Sequence, residues 1–300
     1  MPFGAVGCAV GGWGFVSRLC EVPFTKLETV GNDFVLVDRA VVGECNWEQL
    51  ALEVCERRYS VGSDGLCVIW REGEEIHLRF FNPDGTEDFC GNGLRCAAWY
   101  AFRQGWTGRE FSIFQLGKVV DMIVDPAGRV RAVMPPASYD PGEIPTQFDG
   151  EMLDVSVQGV VGTALTTGSA HFVTFTDELP DDEEFLRLGS AIEKDPVFPE
   201  RVSVMWIQPI GERELRMRIW ERGVGETLGC GTGATASASV WFRKMGLSGK
   251  VNLISKGGIL EIEMDGWDQP ISVECDPEEM FTGSALVSEK AMGSRSLACG

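Results

Sequence analysis

Cys90-Gly91-Asn92-Gly93 and Cys230-Gly231-Thr232-Gly233 are the stretches of this 300-residue chain whose residue types and spacing could do chemistry. They stand 140 residues apart, and a helical pattern follows each, Leu94 to Gln104 in one case and Ala234 to Lys244 in the other. The echo extends further at the same offset: Asn82 with Arg222, Gly85 with Gly225, Ala98 with Ala238, Phe102 with Phe242 and Arg103 with Arg243. A cysteine at a helix start sits among unpaired backbone N–H groups and partial positive charge. Both features favour a thiolate over a thiol, and both favour an anion bound nearby. Glycines let a ligand approach the backbone closely. One such unit makes a nucleophile or an anion site. Two of them, facing each other across a cleft, make an acid–base pair around one substrate carboxylate. With one cysteine as thiolate and the other as thiol, a proton could leave one face of a carbon and return on the opposite face. That is racemisation or epimerisation without a cofactor. The N–H groups near Gly91 and Asn92, and near Gly231 and Thr232, would meet the negative charge that develops on the carboxylate.

Composition narrows the classes. The chain carries 26 Lys and Arg against 45 Asp and Glu, a formal charge of −19. Such acidity argues against nucleic acid and anionic membrane surfaces as partners. An anionic substrate must be drawn in by local dipoles and a few arginines. Ten cysteines and two histidines, His77 and His171, include no Cys-x-x-Cys and no metal set. They read as reduced thiols of a cytoplasmic protein. Cys45, Cys55, Cys67, Cys96 and Cys275 read as small hydrophobes of the core. No lysine stands out as an anchor for pyridoxal phosphate, and the expectation is no cofactor and no metal. No run of 18 apolar residues is present, so no transmembrane helix is expected. Residues 1–21 are Gly-rich with Arg18 as their one basic residue, and read as a disordered extension or as the product of a start codon placed too early. Residues 288–300 read as a disordered tail.

The elements that must position the cysteines alternate between strands and a few helices. Phe24 to Leu27 and Phe34 to Asp38 read as strands around the turn-forming Val30-Gly31-Asn32-Asp33. Trp47 to Tyr59 has apolar residues at helical spacing. Leu66 to Trp70 and Ile76 to Phe81 read as strands leading to the turn Asn82-Pro83-Asp84-Gly85. Short strands follow the first Cys-Gly helix, and prolines at 135, 136, 141 and 145 mark a connection. The second half repeats the plan, with a helix over Glu183 to Glu193 and strands at Val204 to Gln208 and Leu215 to Trp220. Strands outnumber helices and connections are short. The expected fold class is α+β: two pseudo-symmetric halves, each a mostly antiparallel sheet wrapped around a central helix. The halves are expected at residues 22–139 and 140–275, with the last strand, about 276–287, possible as a completion of the first half's sheet.

The chain resembles the diaminopimelate epimerase family. The resemblance is carried by Phe24-Thr25-Lys26 through Gly31-Asn32-Asp33-Phe34-Val35, by Phe81-Asn82-Pro83-Asp84-Gly85 with Cys90-Gly91-Asn92-Gly93-Leu94-Arg95-Cys96, by Phe198-Pro199-Glu200-Arg201-Val202, and by Glu221 to Thr227 with Cys230-Gly231-Thr232-Gly233-Ala234. It implies cofactor-independent interconversion of L,L- and meso-diaminopimelate, a step toward lysine and peptidoglycan precursors, by a homodimer with a small amino-acid substrate. It implies that Cys90 and Cys230 are the two bases, with Cys90 the donor and Cys230 the acceptor by family convention. Gly91, Asn92, Gly231 and Thr232 would bind the reacting carboxylate. Asn32, Asn82, Glu221 and Arg222 would hold the rest of the substrate, Arg222 at the distal carboxylate, and His171 would support the site.

Two departures bear on the substrate. Where the family has Gly-Asn-Pro-His, this chain has Gly168-Ser169-Ala170-His171, and where the family has Arg-Val-Asn it has Arg201-Val202-Ser203. The missing asparagines belong to the family's distal pocket. Ser169 and Ser203 therefore leave open a second expectation, a cofactor-independent racemase of a different amino acid.

Overall fold

The computed structural model describes residues 19–293. The expectations for residues 1–18 and 294–300 lie outside the described residues. In order, the chain forms β1 (Leu19–Thr29), β2 (Asn32–Asp38), α1 (Arg39–Val42), α2 (Trp47–Val54), β3 (Gly65–Glu72), β4 (Glu75–Phe81) and α3 (Gly91–Arg103). It continues through β5 (Glu110–Gln115), β6 (Lys118–Val124), β7 (Val130–Met134), β8 (Val155–Val157), β9 (Val160–Thr166), β10 (Ala170–Phe175) and α4 (Asp182–Glu193). It ends with β11 (Ser203–Gly211), β12 (Glu214–Glu221), β13 (Gly225–Thr227), α5 (Gly231–Met245), β14 (Gly249–Ser255), β15 (Gly258–Met264), β16 (Ile271–Cys275), β17 (Glu278–Ser288) and α6 (Glu289–Met292). The fold is α+β and dominated by mixed sheet. The sheet is largely antiparallel, with parallel pairs β2/β3, β10/β11 and β12/β14. Each parallel pair is joined by a connection that carries a helix, because parallel neighbours cannot be linked by a tight turn.

Two compact units make up the chain. The first holds the described residues 19–27, 33–88 and 279–293. Its strands run β17–β1–β2–β3–β4. α2 starts at Asn46, whose side chain accepts the Gln49 N–H, and buries Trp47, Leu50, Ala51 and Val54 against Val35, Val37, Leu66 and Val68. The helix expected over Trp47 to Tyr59 stops at Val54. The returning chain takes the carbonyls that a longer helix would use: Gly62 N–H donates to Val54 at 2.9 Å and Ser63 N–H to Cys55 at 3.1 Å. The termini of the described chain are more ordered than composition suggests. β1 already begins at Leu19, and residues 289–292 are helical rather than tail, because Ser288 caps that turn and Ala291 is buried in the core.

The second unit holds residues 28–32 and 89–278. Its ladder runs β5–β6–β7–β16–β15–β14–β12–β11–β10–β9–β8, with β13 also on β12. Both Cys-Gly helices belong to it. α3 packs on β6 and β7, and α5 packs on strands from β9 to β11 and from β14 to β16. α5 is buried almost all round, and its sequence permits this. Ala234, Ala236 and Ala238 keep it narrow, while Thr235 and Ser237 donate their hydroxyls to the Gly231 and Gly233 carbonyls at 2.5 and 2.7 Å, so the buried polar groups are satisfied within the helix.

Candidate active site

Each cysteine caps its helix. Cys90 and Cys230 have extended backbone (φ −127° and −140°), and each sulfur accepts the N–H of the third residue on, Gly93 or Gly233, at 3.3 Å. Sulfur here takes the place usually held by a Ser or Asp oxygen. The helices therefore begin at Gly91 and Gly231, earlier than hydrophobic periodicity alone suggests. Cys230 is buried and Cys90 half-buried, and neither is in a disulfide.

The first turns of α3 and α5 meet. A methyl group on Gly231 would lie 2.9 Å from Arg95 Nη2 and 3.1 Å from Asn92 Oδ1, so glycine lets these side chains close on the start of α5 without shifting. A methyl on Gly233 would collide with Met205 at 2.6 Å. Asn92 Nδ2 donates to Asn32 Oδ1 at 3.2 Å, and Arg95 donates through Nη2 to Asn92 Oδ1. Arg95 Nε also donates to Cys275 Sγ at 2.9 Å, and Thr29 Oγ1 to the same sulfur at 3.1 Å. Arg95 is 1% exposed and, among the described residues, has no carboxylate partner. Its positive charge pulls the Cys90 thiol pKa down.

Electrostatics oppose the ionisation expected from the helix starts. Burial pushes the Cys90 thiol up to about 12, outweighing the Gly93 N–H, the Arg95 charge and the Asn92 N–H, which all pull it down, while Glu221 pushes it further up. Burial also raises Cys230 well above the ordinary thiol range, and the Glu221 carboxylate, close enough to accept a hydrogen bond from it, adds to the effect against Thr232 and the Gly233 N–H. Desolvation wins because a thiolate would lose most of its water while two or three hydrogen-bond donors cover only part of it. One carboxylate, Glu221, thus acts on both sulfurs.

The remaining expected residues fall into two groups. Ser169 lies 3.0 Å from His171 Nε2 and donates to Thr232 Oγ1 at 3.3 Å, and Thr232 Oγ1 lies 3.5 Å from Cys230 Sγ. His171 is buried, and burial together with the Arg222 charge lowers its imidazole to about 3, so it is neutral. Ser203 accepts the Arg222 backbone N–H, and Arg222 itself is exposed, with Nη1 donating to the Glu200 carbonyl at 3.4 Å. Asn82 belongs to the first unit, where its backbone N–H and Nδ2 donate to Thr86 at 2.8 and 3.1 Å.

Sequence reasoning missed Glu193 and Arg95. Glu193 is 3% exposed and accepts Trp220 Nε1–H at 2.7 Å and Gly223 N–H at 2.9 Å, bracing the turn that carries Glu221 and Arg222. The signal was present: Glu193 continues the buried stripe of Phe185 and Gly189 on α4, where a carboxylate needs partners.

Solved structures with this fold include a PhzF-family phenazine biosynthesis protein from Bacillus anthracis (TM-score 0.64, 14% identity, 89% of this chain and 100% of that one). Another is a hydroxyproline epimerase from Agrobacterium vitis (TM-score 0.64, 11% identity, 89% and 93%). The chain thus has the fold that PhzF proteins and proline racemase-type epimerases share. The family model for diaminopimelate epimerase matches residues 24–139 and 163–281. The diaminopimelate epimerase of Desulforapulum autotrophicum is 36% identical over 280 residues, covering 88% of this chain and 98% of that one. The enzyme of Moorella thermoacetica is 34% identical over 275 residues, covering 87% and 98%. Within the fold class, this chain belongs to the diaminopimelate epimerase family and is an isomerase. The second expectation, a racemase of a different amino acid, is not favoured, because the family model and these relatives are diaminopimelate epimerases.

Proposed function

We propose that the protein converts L,L-diaminopimelate to meso-diaminopimelate without a cofactor, with Cys90 and Cys230 as the two acid–base groups. The observation that carries this reading is the meeting of two cysteine-capped helix starts in one unit, with Asn92 and Arg95 against Gly231.

In one direction a thiolate takes the α-proton: the C–H bond breaks, an S–H bond forms, and the electron pair passes into the carboxylate as an enediolate. The opposite thiol then gives its proton to the other face of the carbon and becomes the thiolate. The N–H groups at the starts of α3 and α5 meet the carboxylate charge that grows in the transition state. Burial that holds both groups as thiols in the free protein is offset when the substrate's cationic α-ammonium comes within a few ångströms, and one thiol then releases its proton to solvent before the cycle begins. The same burial keeps water from delivering a proton without stereocontrol. Arg222, exposed at the edge of the site, is suited to the distal carboxylate, and Asn32 and Glu221 to the polar groups nearer the reacting carbon.

The cysteines among the described residues are free thiols, which supports a reducing, cytoplasmic setting. Exposed Met280, Phe281 and Leu286 on β17 support a homodimer, which light scattering in solution would test. The test of activity is deuterium incorporation into meso-diaminopimelate in deuterated water, with the native protein and with each cysteine replaced. Exchange at the background rate by the native protein would defeat the reading.

A further inference from the structure

We propose that Ser169 and Thr232 form a two-hydroxyl relay that ties the tautomer of buried His171 to the hydrogen bond received by Cys230, which makes Ser169 a positioning residue for the second sulfur. The inference rests on Cys230 being an acid–base group of the site.

The chain of contacts is continuous. His171 Nε2 to Ser169 Oγ is 3.0 Å, Ser169 Oγ to Thr232 Oγ1 is 3.3 Å, and Thr232 Oγ1 to Cys230 Sγ is 3.5 Å. A hydroxyl has one proton to give. Ser169 gives its proton to Thr232, so the hydrogen bond with His171 needs a proton on Nε2. That leaves Nδ1 as a bare lone pair, and Nδ1 is the buried His171 atom without a partner. Thr232, having accepted from Ser169, gives its own proton to the sulfur. Every donor in the chain then points toward Cys230. The reverse order would put an N–H at Nδ1 with nothing to receive it, and buried orphan donors are rarer than under-satisfied acceptors.

The relay orients; it does not carry a proton away, because His171 stays neutral where burial and Arg222 disfavour the imidazolium. Thr167 Oγ1 donates to the Thr232 carbonyl at 2.9 Å and holds the middle of the chain in place. The charged groups around it are Glu221 of β12, which opposes a thiolate at Cys230, Arg222 facing His171, and Arg95 of α3 against Gly231. An alanine at position 169 can neither accept from His171 nor donate to Thr232, so Ser169→Ala breaks the relay at both steps.

Two readouts independent of turnover test it. The chain has two histidines, so nitrogen-15 spectra of the imidazoles are simple, and His77→Gln assigns the signals. Peptide-resolved alkylation by iodoacetamide gives the pH profile of Cys230. The native protein is expected to show His171 protonated at Nε2. Ser169→Ala is expected to mix the tautomers and to lower Cys230 alkylation at fixed pH by about three- to tenfold, up to one pH unit in its profile. Thr232→Ser should keep both properties within about twofold, and Thr232→Val should lose the alkylation. A proton on Nδ1 in the native protein, or an unchanged Cys230 profile in Ser169→Ala, overturns the relay. If the native protein fails to exchange the α-proton of diaminopimelate but Ser169→Ala still moves the profile, the relay stands and the functional reading falls.

Discussion

The hydroxyl of Ser203 accepts the backbone N–H of Arg222 at 3.1 Å. Ser203 opens β11, Arg222 follows β12, and the bond ties the turn after β12 to its neighbouring strand. Replacement by Ala leaves a partly buried N–H unpaired, at about 1–3 kcal/mol. Ser203→Ala should therefore lower the melting temperature by a few degrees and raise KM several-fold with a smaller fall in kcat, because the bond holds Arg222 directly and Glu221 only through its neighbour. Steady-state kinetics beside calorimetry would check this, and an unchanged KM would remove the turn from substrate positioning.

Removal of either thiol should stop inversion. Cys90→Ala and Cys230→Ala are each expected to cost about 10²–10⁴-fold in kcat, the usual worth of a positioned acid or base. The far-ultraviolet dichroism should remain native. A single variant that epimerises at the native rate would mean that its sulfur takes no part.

The elevated Cys90 pKa gives a direction for alkylation. Thiolate is the reacting form. With the thiol pushed up to about 12, modification of Cys90 in the free protein should keep rising through pH 9 and 10 instead of levelling near neutrality. Mass spectrometry of the Cys90 peptide gives the profile. A plateau at pH 7 would show that the helix start outweighs burial after all.

His171 links stability to pH. Its folded value is about 3 against 6.5 for the free side chain, so between these values the unfolded chain binds more protons. Its contribution is whole above pH 6.5 and is lost as pH falls toward 3, with a slope approaching about 1.4 kcal/mol per unit. Urea titrations across this range should show a shallower acid slope in His171→Asn than in the native protein. Equal slopes would contradict the buried, neutral assignment.

Glu193 holds three donors: Trp220 Nε1–H, Gly223 N–H and, at 3.5 Å, Arg201 Nη1. Glu193→Ala should destabilise by about 2–4 kcal/mol, since Trp220 Nε1–H and Gly223 N–H both lose a charged acceptor. Glu193→Gln keeps one acceptor oxygen and should cost less. Denaturant midpoints that rank the two variants the other way would point to repacking instead.

What could be read in the chain before its fold was local. Cys90 and Cys230 announce themselves through glycine spacing and a repeated context, and a cap needs nothing beyond its own first turn. The turn at Gly31, with φ 78°, is equally self-contained. What stayed hidden depends on distant partners. Arg95 reads as an ordinary helix residue until β16 brings Cys275 to it, across 180 residues. Ser169 reads as a weak substitute for an amide until Thr232 and His171 flank it. The end of α2 at Val54 was illegible because Gly62 and Ser63 return to claim its carbonyls. The upward push of burial on the two thiols is hidden for the same reason: a helix start is visible in one dimension, and burial is not.

The sulfurs that hold the Gly93 and Gly233 N–H groups are the atoms that would receive a substrate proton, on a lone pair the amide does not occupy. A sulfur that gains a proton loosens its grip on the amide behind it, and one that sheds a proton tightens it. Each inversion would then relax the tip of one helix while it stiffens the tip of the other, a see-saw written into the backbone and readable as opposite changes in amide exchange at the two glycines.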